Sequence, residues 1–533
     1  MTVHLAELLS RAATMAPDRT ALVEAATGRR LSWAELDAEA DRVAAGLDAM
    51  GLVAGYRVVV ALTNRVEFVT TYLGALRAGL VAVPVNPRGT TGELVRLLAD
   101  CNARLVVVDR VTATSARQAV AGLEDALVGA DEHLRRTTAV PRVVTVGLPA
   151  LPGETTYDGL LAGSGSEIPE VRDPERLAVL LYTSGTSGRP RAAMLTHRAL
   201  LANIRQACEV QPPMLTADDV VLGVLPLFHV YGLNAVLGLV LHQQARLVLV
   251  DGFDKDETLS VIEAEAVTVL PVAPPVFAYW QAVPDLRARL RGVRLVLSGS
   301  APIDPALVAD FTARTGVEVH QGYGLTEAAP IVTSTLCSLG GRAKPGSVGA
   351  ALPGIELRLV DEAGVVPDRG DAGEVEVRGD NLFSGYWPDG ADGPDDEGWY
   401  ATGDVGFLDP DGDLFLVDRL KELVIVSGFN VYPVEVEEVL RELDEVAEAA
   451  VIGSDDPVTG EAVVAYVTPA PGSPYDAGEL EERVRAHCAV RLARFKQPTE
   501  VRVVDELPHT VTGKVAKGQL RAGRRRGDAG LLQ

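Results

Sequence analysis

Cysteine, positive charge and long apolar runs are all scarce in this sequence of 533 residues. The cysteines, Cys101, Cys208, Cys337 and Cys488, are too scattered for a zinc site or a redox pair, so we expect reduced, buried thiols. No uninterrupted apolar run approaches about 20 residues, and no membrane-spanning helix is therefore predicted. No basic segment leads into an apolar one near Met1, so no signal peptide is expected.

The shortage of positive charge also bears on possible partners. Lysine and arginine total 49 against 73 aspartates and glutamates, which gives a formal net charge of -24. A chain this acidic is repelled by nucleic acid and by anionic lipid, so we expect neither as a partner. We predict a cytoplasmic protein, either a monomer or a homodimer, and its length requires two or more domains.

What the sequence does contain is an alternation of helical and strand patterns. Residues 34–47 repeat apolar side chains at helical spacing after Ser32, and Ser32 forms a predicted capping box with Glu35. Similar alternation through residue 175 favours parallel sheets covered by helices. We expect an α/β fold in which residues 1–418 form a large N-terminal domain and residues 419–533 a small, mobile α+β domain. Short strands with Asp-Gly turns predict a β-rich subdomain over about residues 345–418.

The chain is organised around a glycine- and hydroxyl-rich loop. A buried strand is predicted over residues 177–182, and it runs into Thr183-Ser184-Gly185-Thr186-Ser187-Gly188-Arg189-Pro190-Arg191. Glycine allows close backbone approach, and hydroxyls, N–H groups and arginines can bind phosphate oxygens. No Gly-Lys-Ser/Thr closes the loop, so it is not a Walker A motif, and a plain surface turn is the alternative. Helical spacing from Leu195 through Ile204 predicts a helix directly after it.

Further strands end in turn signals that could serve the same crevice, because ligands gather at the carboxyl ends of parallel strands. Ser298-Gly299-Ser300-Ala301-Pro302 follows one strand. Another ends in Gln321-Gly322-Tyr323-Gly324-Leu325-Thr326-Glu327, where Tyr323 could stack on a flat ligand and Glu327 could bind Mg²⁺. His229 follows a third strand and could equally be a packed core histidine. Lys514 stands on a Gly/Thr loop, where a lysine is mobile.

Four of these motifs together resemble the adenylate-forming superfamily of acyl-CoA synthetases, nonribosomal adenylation domains and luciferases. They are the loop from Tyr182 to Arg191, Gln321 to Glu327, Tyr400-Ala401-Thr402-Gly403-Asp404 and Thr512-Gly513-Lys514. The likeness extends over nearly the whole chain. Within the superfamily, residues 427–433 are similar to bacterial fatty-acyl-CoA synthetases, and residues 229–234 to 4-coumarate–CoA ligases.

The resemblance implies two half-reactions, in which a carboxylate displaces pyrophosphate from ATP and a thiol then displaces AMP. It assigns Lys514, Thr326 and His229 to catalysis, and Glu327 to Mg²⁺. It implies that nucleotide is bound by Thr183, Ser184, Gly185, Thr186, Ser187, Gly188, Arg191, Gly299, Ser300, Ala301, Gln321, Gly322, Tyr323, Gly324, Thr326, Asp404 and Arg419. It places His229, Val230, Tyr231, Asn234, Val272, Gly299, Gly324 and Ile331 at the acyl pocket. Rotation of the small domain would use a hinge near Asp418 and Lys421, with Gly428 on the thiol tunnel.

Two departures from the family pattern bear on ATP and on the acceptor. The family usually has Pro-Lys-Gly after the phosphate loop, and this chain has Pro190-Arg191-Ala192. The compact lysine ammonium is thus replaced by the planar, forked guanidinium of arginine, and a glycine is lost. The basic residue that many relatives carry near Ile425 or Ser427 is absent. That stretch therefore leaves two acceptors open: CoA, which we expect, and the phosphopantetheine of an acyl carrier protein as the alternative.

The substrate class follows from the pocket candidates Val230, Tyr231, Val272, Pro274 and Ile331, which are apolar or aromatic. None of these residues is acidic, so none could bind the amino group of an amino acid, which argues against amino-acid activation. We predict an ATP-dependent acid–thiol ligase for a medium- or long-chain fatty acid. An aryl-acid CoA ligase, favoured by Tyr231, is the alternative. A nucleotide-binding protein without catalysis is disfavoured, since Lys514, Glu327 and Asp404 are all present.

Overall fold

The computed structural model describes residues 3–128, 138–165, 173–183, 191–300, 303, 305–341, 343–361, 373–419, 424–431, 433–508, 515, 517, 520 and 524. The strands are β1 Thr20–Glu24, β2 Arg30–Ser32, β3 Arg57–Ala61, β4 Val81–Pro84, β5 Leu105–Val108, β6 Arg142–Thr145, β7 Thr155–Thr156, β8 Leu177–Thr183, β9 Arg191–Thr196, β10 Val220–Gly223, β11 Arg246–Leu249, β12 Val269–Val272, β13 Leu295–Ser298, β14 Val319–Gly324, β15 Ile331–Ser334, β16 Ala350–Ala351, β17 Glu356–Val360, β18 Gly373–Arg378, β19 Trp399–Leu408, β20 Leu414–Arg419, β21 Val424–Val426, β22 Phe429–Val431, β23 Val446–Asp456, β24 Gly460–Pro469 and β25 Glu500–Val503.

Helices cover the sheets between these strands. They are α1 Glu7–Met15, α2 Trp33–Ala49, α3 Val66–Arg77, α4 Thr91–Asp100, α5 Ala113–Val128, α6 Tyr157–Leu161, α7 His197–Cys208, α8 Leu239–Gln243, α9 Lys255–Ala264, α10 Pro275–Trp280, α11 Leu286–Arg289, α12 Pro305–Thr315, α13 Pro433–Leu440 and α14 Ala477–Arg491. A π-helix spans Tyr231–Gly238, and single 3₁₀ turns span Thr326–Ala328, Thr335–Cys337, Leu339–Gly341 and Arg494–Lys496. None of the described helices is long and apolar enough to cross a membrane.

Two large sheets carry most of the N-terminal part. One has the order β7-β6-β5-β3-β4-β8-β9 and the other β16-β15-β14-β13-β12-β10-β11-β1-β2. Most neighbouring strands of the two sheets are parallel, and the antiparallel pairs lie toward the edges, for example β8–β9 in the first sheet and β14–β15 in the second. The prediction of parallel sheets with helices is therefore confirmed.

The remaining sheets match the predicted β-rich subdomain and small α+β unit. Strands β17-β18-β19-β20 form an antiparallel sheet. Strands β22-β21-β24-β23, with β25 parallel to β24, form a mixed sheet that packs against α13 and α14. The first of these sheets ends at Arg419 and the second begins at Val424. The exact domain boundary at residues 418 and 419 stays a prediction. We call the part from Val424 onward the C-terminal lobe.

The segment after the predicted phosphate loop differs from the expectation. Leu195 lies in strand β9 and not in a helix, and β9 pairs antiparallel with β8, so that Thr183 lies opposite Arg191. Helix α7 begins only at His197, where the Thr196 hydroxyl accepts a hydrogen bond from Ala199 N at 3.2 Å. The loop therefore connects two strands of a hairpin. Leu195 is buried in the strand and Ala199 is buried in the helix. Their separation along the chain imitates the repeat of a helix, although the two residues belong to different elements.

The start of α2 shows how local chemistry sets an element. Ser32 Oγ accepts from Glu35 N at 3.2 Å, and Glu35 Oε2 accepts from Ser32 N at 2.8 Å. This reciprocal cap satisfies two N–H groups that a helix start leaves unpaired. Leu36, Val43 and Leu47 then face the core and are fully buried, as predicted.

A buried histidine pair joins the N-terminal segment to the start of α7. The rings of His4 and His197 lie 3.8 Å apart, and His197 Nδ1 accepts from Leu5 N at 3.2 Å. Burial lowers the pKa of His4 to about 4, helped by the charge of Arg176. Both rings are therefore neutral at pH 7, and protonation opposes this packing.

We expect this pair to make stability fall in mild acid. A histidine whose folded pKa lies below its unfolded value of about 6.5 keeps its full contribution above that pH and loses it progressively down to its folded pKa of about 4. For His4 the loss at pH 5 is about 2 kcal/mol in the free energy of unfolding. Urea unfolding at pH 7.5 and pH 5, compared between wild type and His4→Phe, measures it. The variant should lose less on acidification, and an equal loss in both proteins would contradict the assignment.

Candidate active site

The carboxyl ends of β12, β13 and β14 lie side by side and define a crevice. Parallel pairing places Val272 opposite Ser298 and Ser298 opposite Gln321. Gly299 and Ser300 directly follow β13, and Thr326 follows β14. Three of the predicted site segments therefore converge at one edge of the sheet, as ligand-binding loops do in open α/β folds.

Backbone contacts explain the glycines that flank Tyr323. A Cβ on Gly322 would lie 2.8 Å from Thr333 O, and one on Gly324 would lie 2.2 Å from Pro330 O. Strand β15 approaches β14 too closely at both points for any side chain. The glycines thus let β14 turn back on itself, and they fix the orientation of Tyr323 between them.

Tyr323 joins the crevice to the β-rich subdomain. Its hydroxyl donates to Asp404 Oδ2 at 2.7 Å, and both residues are at least nine-tenths buried. Asp404 on β19 lies opposite Arg419 on β20 in the antiparallel register. The structure therefore brings together the residues predicted to bind adenine and ribose, although the side chains of Asp418 and Arg419 fall outside its description.

Arg191, Tyr386 and Glu327 form a connected chain beside the phosphate hairpin. The guanidinium carbon of Arg191 lies 3.9 Å from the centre of the Tyr386 ring, and Arg191 pairs with Asp392 at 2.7 Å. The Tyr386 hydroxyl donates to Glu327 Oε1. Burial, reinforced by the charge of Glu327, raises the pKa of Tyr386, which keeps it a donor. Sequence reasoning missed Tyr386, although it stands in an aromatic and glycine-rich segment, Gly385-Tyr386-Trp387.

The two substitutions that end the phosphate loop, Arg191 and Ala192, have a physical explanation here. A planar guanidinium can stack on the Tyr386 ring as well as pair with Asp392, which a lysine ammonium does less well. Ala192 lies within β9, opposite Tyr182, and its carbonyl accepts from Trp387 N at 2.8 Å. It has no positive φ. The expected cost of replacing glycine at this position is therefore not found, because the strand is extended there.

The acyl side of the crevice is neutral. His229 Nδ1 accepts from Tyr231 N at 3.4 Å, and burial lowers the pKa of His229 to about 4. The Tyr231 hydroxyl donates to Leu297 O at 3.4 Å, and burial raises its pKa. A Cβ on Gly299 would lie 3.2 Å from the Tyr231 ring, so that ring lies directly against the predicted wall.

Other predicted pocket residues have structural partners. Asn234 in the π-helix donates to Leu200 O at 3.1 Å and to Ala329 O at 2.7 Å, and its Oδ1 has no hydrogen-bond partner in the described residues. This side chain braces the turn that carries Glu327. Val230 is buried, and Ile331 at the start of β15 exchanges backbone hydrogen bonds with the side chain of Asn203.

The segment that carries His229 is fixed by a residue the motifs did not indicate. Asn64 follows β3 and donates to Gly223 O at 3.1 Å and to Leu225 O at 2.8 Å. Its Oδ1 accepts from Leu227 N at 2.9 Å. Asn64 thus ties the carboxyl ends of the two large sheets together just before His229. A lone asparagine after a strand carries no signal of this role in sequence.

The C-terminal lobe contributes a loop to the acyl wall. Gly428 has φ +81°, and a Cβ there would lie 3.6 Å from Ala273 Cβ and 3.7 Å from Ser300 Cβ. The next residue, Phe429, stacks on Phe228 with centroids 6.1 Å apart. Ser300 itself has φ +75°, an unusual conformation for a residue with a side chain.

Several predicted residues cannot be placed. Ser184, Gly185, Thr186, Ser187 and Gly188, together with Ala301, Lys421 and Lys514, lie outside the described residues. Thr183 lies at the base of that loop, where its hydroxyl donates to Arg191 O at 3.3 Å. The roles of all these residues remain predictions.

Comparison with known proteins decides the family. The model of the AMP-binding enzyme family matches residues 9–387, and that of the AMP-binding enzyme C-terminal domain matches residues 435–514. The chain belongs to the AMP-binding enzyme family. The predicted resemblance to the adenylate-forming superfamily is thereby confirmed. This AMP-binding enzyme is an AMP-forming acid–thiol ligase, and ATP and CoA are the cosubstrates that ligases of the family use.

Relatives of this AMP-binding enzyme cover it almost completely. 4-Coumarate–CoA ligase 5 of Oryza sativa subsp. japonica is 34% identical over 519 residues, which span 95% of this chain and 92% of the relative. The long-chain-fatty-acid–CoA ligase of Bacillus subtilis (strain 168) is 32% identical over 538 residues, spanning 97% and 94%. Among solved structures, the amide bond synthetase McbA from Marinactinospora thermotolerans has a TM-score of 0.83 at 28% identity and covers 98% of this chain and 99% of its own.

Proposed function

We propose that this enzyme activates a medium- or long-chain fatty acid as acyl-AMP and transfers the acyl group to CoA. The observation that carries the proposal is the position of Gly299. A Cβ on Gly299 would lie 3.2 Å from the Tyr231 ring and 3.7 Å from Gly322 O, so acyl-side and nucleotide-side residues both lie close to this glycine. An acid held beside Tyr231 and an ATP α-phosphate held beside Gly322 would therefore be within reach of each other.

The adenylation step would be carried by positioning and charge. Tyr323 and Asp404 would hold the adenosine, Thr183, Arg191 and Thr326 the phosphates, and Lys514 the charge that develops between carboxylate and α-phosphate. Phosphoryl-centre chemistry needs alignment and electrostatic stabilisation more than covalent help from the protein. His229 is neutral, so it would border the acyl site without attracting a second anion.

Glu327 supplies the one carboxylate that we assign to Mg²⁺. Mg²⁺ is commonly held by one or two carboxylates together with substrate phosphates. Glu327 is buried, one of its oxygens accepts from Tyr386, and it follows Thr326 at the phosphate end of the crevice. Among the described residues no cluster of three or more acidic, histidine or cysteine side chains could form a separate metal cage. Mg²⁺ bound at Glu327 would neutralise charge on the ATP phosphates.

The acceptor side supports a pantetheine thiol. Gly428 of the C-terminal lobe lies close to the small residues Ala273 and Ser300, so the contact between lobe and acyl wall is made by side chains of minimal size. A narrow thiol arm needs such a gap. We infer CoA as the acceptor. A carrier protein presents the same pantetheine group, so the experiment below also includes a holo carrier protein. The cytoplasm, where ATP and CoA are available, remains our prediction for the compartment.

An aryl acid is the second candidate, and Tyr231 favours it. A Cβ on Gly299 would lie 3.2 Å from Cε1 of Tyr231, so this ring borders the acyl side of the crevice directly. A planar acid could stack beside this ring, whereas an alkyl chain would gain no more from an aromatic wall than from an aliphatic one.

The test is a substrate panel with resolved half-reactions. Purified protein with MgATP is given fatty acids of graded length, cinnamates and benzoates, and pyrophosphate release is measured. Thioester or amide product is then identified by mass spectrometry with CoA, a holo carrier protein or an amine as acceptor. Preference for fatty acids with CoA supports the proposal. Preference for cinnamates supports the aryl alternative, and no pyrophosphate release with any acid overturns both.

A further inference from the structure

Three charged side chains join the large domain to the C-terminal lobe. Lys496 Nζ lies 3.1 Å from Glu93 Oε1 and 2.8 Å from Glu435 Oε1. Glu93 belongs to α4 of the large domain, whereas Glu435 and Lys496 belong to the lobe. The side chains of Lys496, Glu93 and Glu435 are only 12%, 16% and 5% exposed. We call this group the interdomain triad.

The triad is a compensated buried charge group and not a surface pair. Burial alone would lower the pKa of Lys496, but the carboxylates of Glu435 and Glu93 raise it overall, so the ammonium stays charged. Exposed ion pairs contribute little, but removing one partner of a buried group leaves a charge without compensation. Glu93 is the one member that the lobe does not carry itself. Its contribution therefore exists only when the lobe is docked as in this structure.

Aromatic rings connect the triad to the acyl wall. Phe495, beside Lys496, lies 4.7 Å from Phe429 between ring centroids, and Phe429 stacks on Phe228 of the large domain. Phe429 directly follows Gly428, whose Cα lies at the wall formed by Ala273 and Ser300. The same surface of the lobe thus carries Lys496 of the interdomain triad at one end and Gly428 at the other.

Glu93 is held in place before the lobe docks. It is the third residue of α4, and its Oε2 accepts from Thr90 N at 2.8 Å and from Thr90 Oγ1 at 3.1 Å, while Oε1 remains for Lys496. The capping box fixes the side chain of Glu93 through its own helix. A partner that is already ordered loses little entropy on pairing, which increases the net gain from docking.

We propose that Glu93 and Lys496 are positioning residues for the thiol step, because their pairing holds the C-terminal lobe where Gly428 meets the acyl wall. The inference rests on the proposed two-step ligation. The resemblance implies that Lys514 enters the site only after the lobe rotates, and rotation would separate Lys496 from Glu93. An interaction present in one arrangement alone shifts the population toward it. The pair therefore favours thioester formation and contributes nothing to adenylation.

The chain offers a matched control for the test. Glu35 is also the third residue of a capped helix, α2, and pairs reciprocally with Ser32, but it makes no contact with the lobe in the described structure. Glutamine can replace glutamate in a capping box, so Glu93→Gln and Glu35→Gln change the caps alike. Only Glu93→Gln removes the charge that faces Lys496.

Both half-reactions are measured for wild type and both variants, using pyrophosphate release for adenylation and thioester formation from supplied acyl-AMP for transfer. We expect Glu93→Gln to lower kcat of transfer by about tenfold, with adenylation unchanged within about twofold or raised. Glu93→Lys, which places two cations together, should lower transfer further, by about a hundredfold. Glu35→Gln should match wild type in both steps.

Unchanged transfer in Glu93→Gln overturns the inference, and so does an equal loss in both half-reactions, since damage to folding alone would produce that result. Melting temperatures of the variants, compared with that of Glu35→Gln, identify such damage directly. Failure of the wild type to release pyrophosphate with any acid would instead count against the proposed function. The two failures are therefore distinguishable.

Discussion

Replacement of Lys514 by alanine is expected to abolish acyl-AMP formation, with a loss of about 10²–10³-fold, and to spare thioester formation from supplied acyl-AMP. The reason is electrostatic. In the proposed role, the Lys514 ammonium would be brought beside the carboxylate and α-phosphate and would stabilise charge that exists only in the first transition state. The thiol step would not need it, since AMP would then be the leaving group.

The measurement uses the same two half-reaction assays. Lys255→Ala serves as the control, because it removes an exposed lysine at the start of α9. That variant should affect both steps to the same small extent. Equal loss of both half-reactions in Lys514→Ala would refute the assigned role.

The opposite pattern is expected for Gly428→Leu. A side chain at this position would start 3.6 Å from Ala273 Cβ and 3.7 Å from Ser300 Cβ, so a leucine would fill the gap between lobe and acyl wall. The residue also has φ +81°, where a side chain costs about 1–2 kcal/mol. Transfer to CoA should fall by about a hundredfold, as for other losses of alignment, while adenylation persists.

Gly472→Leu is the matched control for this variant. Gly472 lies in the same lobe with φ +82°, and a Cβ there meets nothing within 4 Å, so leucine brings the backbone strain without the obstruction. Transfer that survives in Gly428→Leu, or that falls equally in Gly472→Leu, would show that the gap is not the path of the thiol. Together with Lys514→Ala, the variant separates the two chemical steps.

Local elements were predictable because their causes are local. The capping box of Ser32 and Glu35 and the apolar strand from Leu177 lie in short windows of sequence, and both are confirmed. The helix α5, Ala113–Val128, was missed because its buried face consists largely of alanines, which contrast little with their neighbours. Strand β9 was misread because its buried Leu195 keeps helical spacing with Ala199 of the next helix.

Contacts in the site were less predictable because their partners are far apart in the chain. The residue types around Glu327 indicated a magnesium ligand, but nothing near it indicated Tyr386, which lies 59 residues away. The stacking of Arg191 on that ring likewise depends on how the segment after β18 packs against β9. Side-chain partners of this kind are set by packing, and a single sequence carries no local trace of them.

The sequence by itself determined the family, the order of the nucleotide-binding motifs and the class of chemistry, because each motif combines glycine, hydroxyl and charge within a few residues. Only the tertiary structure decided that the phosphate loop joins antiparallel strands, that Gly299 lies close to both the Tyr231 ring and Gly322, and that Glu93 pairs with Lys496 across 403 residues. The physical reason is that backbone geometry and turn chemistry act between neighbours along the chain. Strand register and lobe docking instead depend on which surfaces pack together.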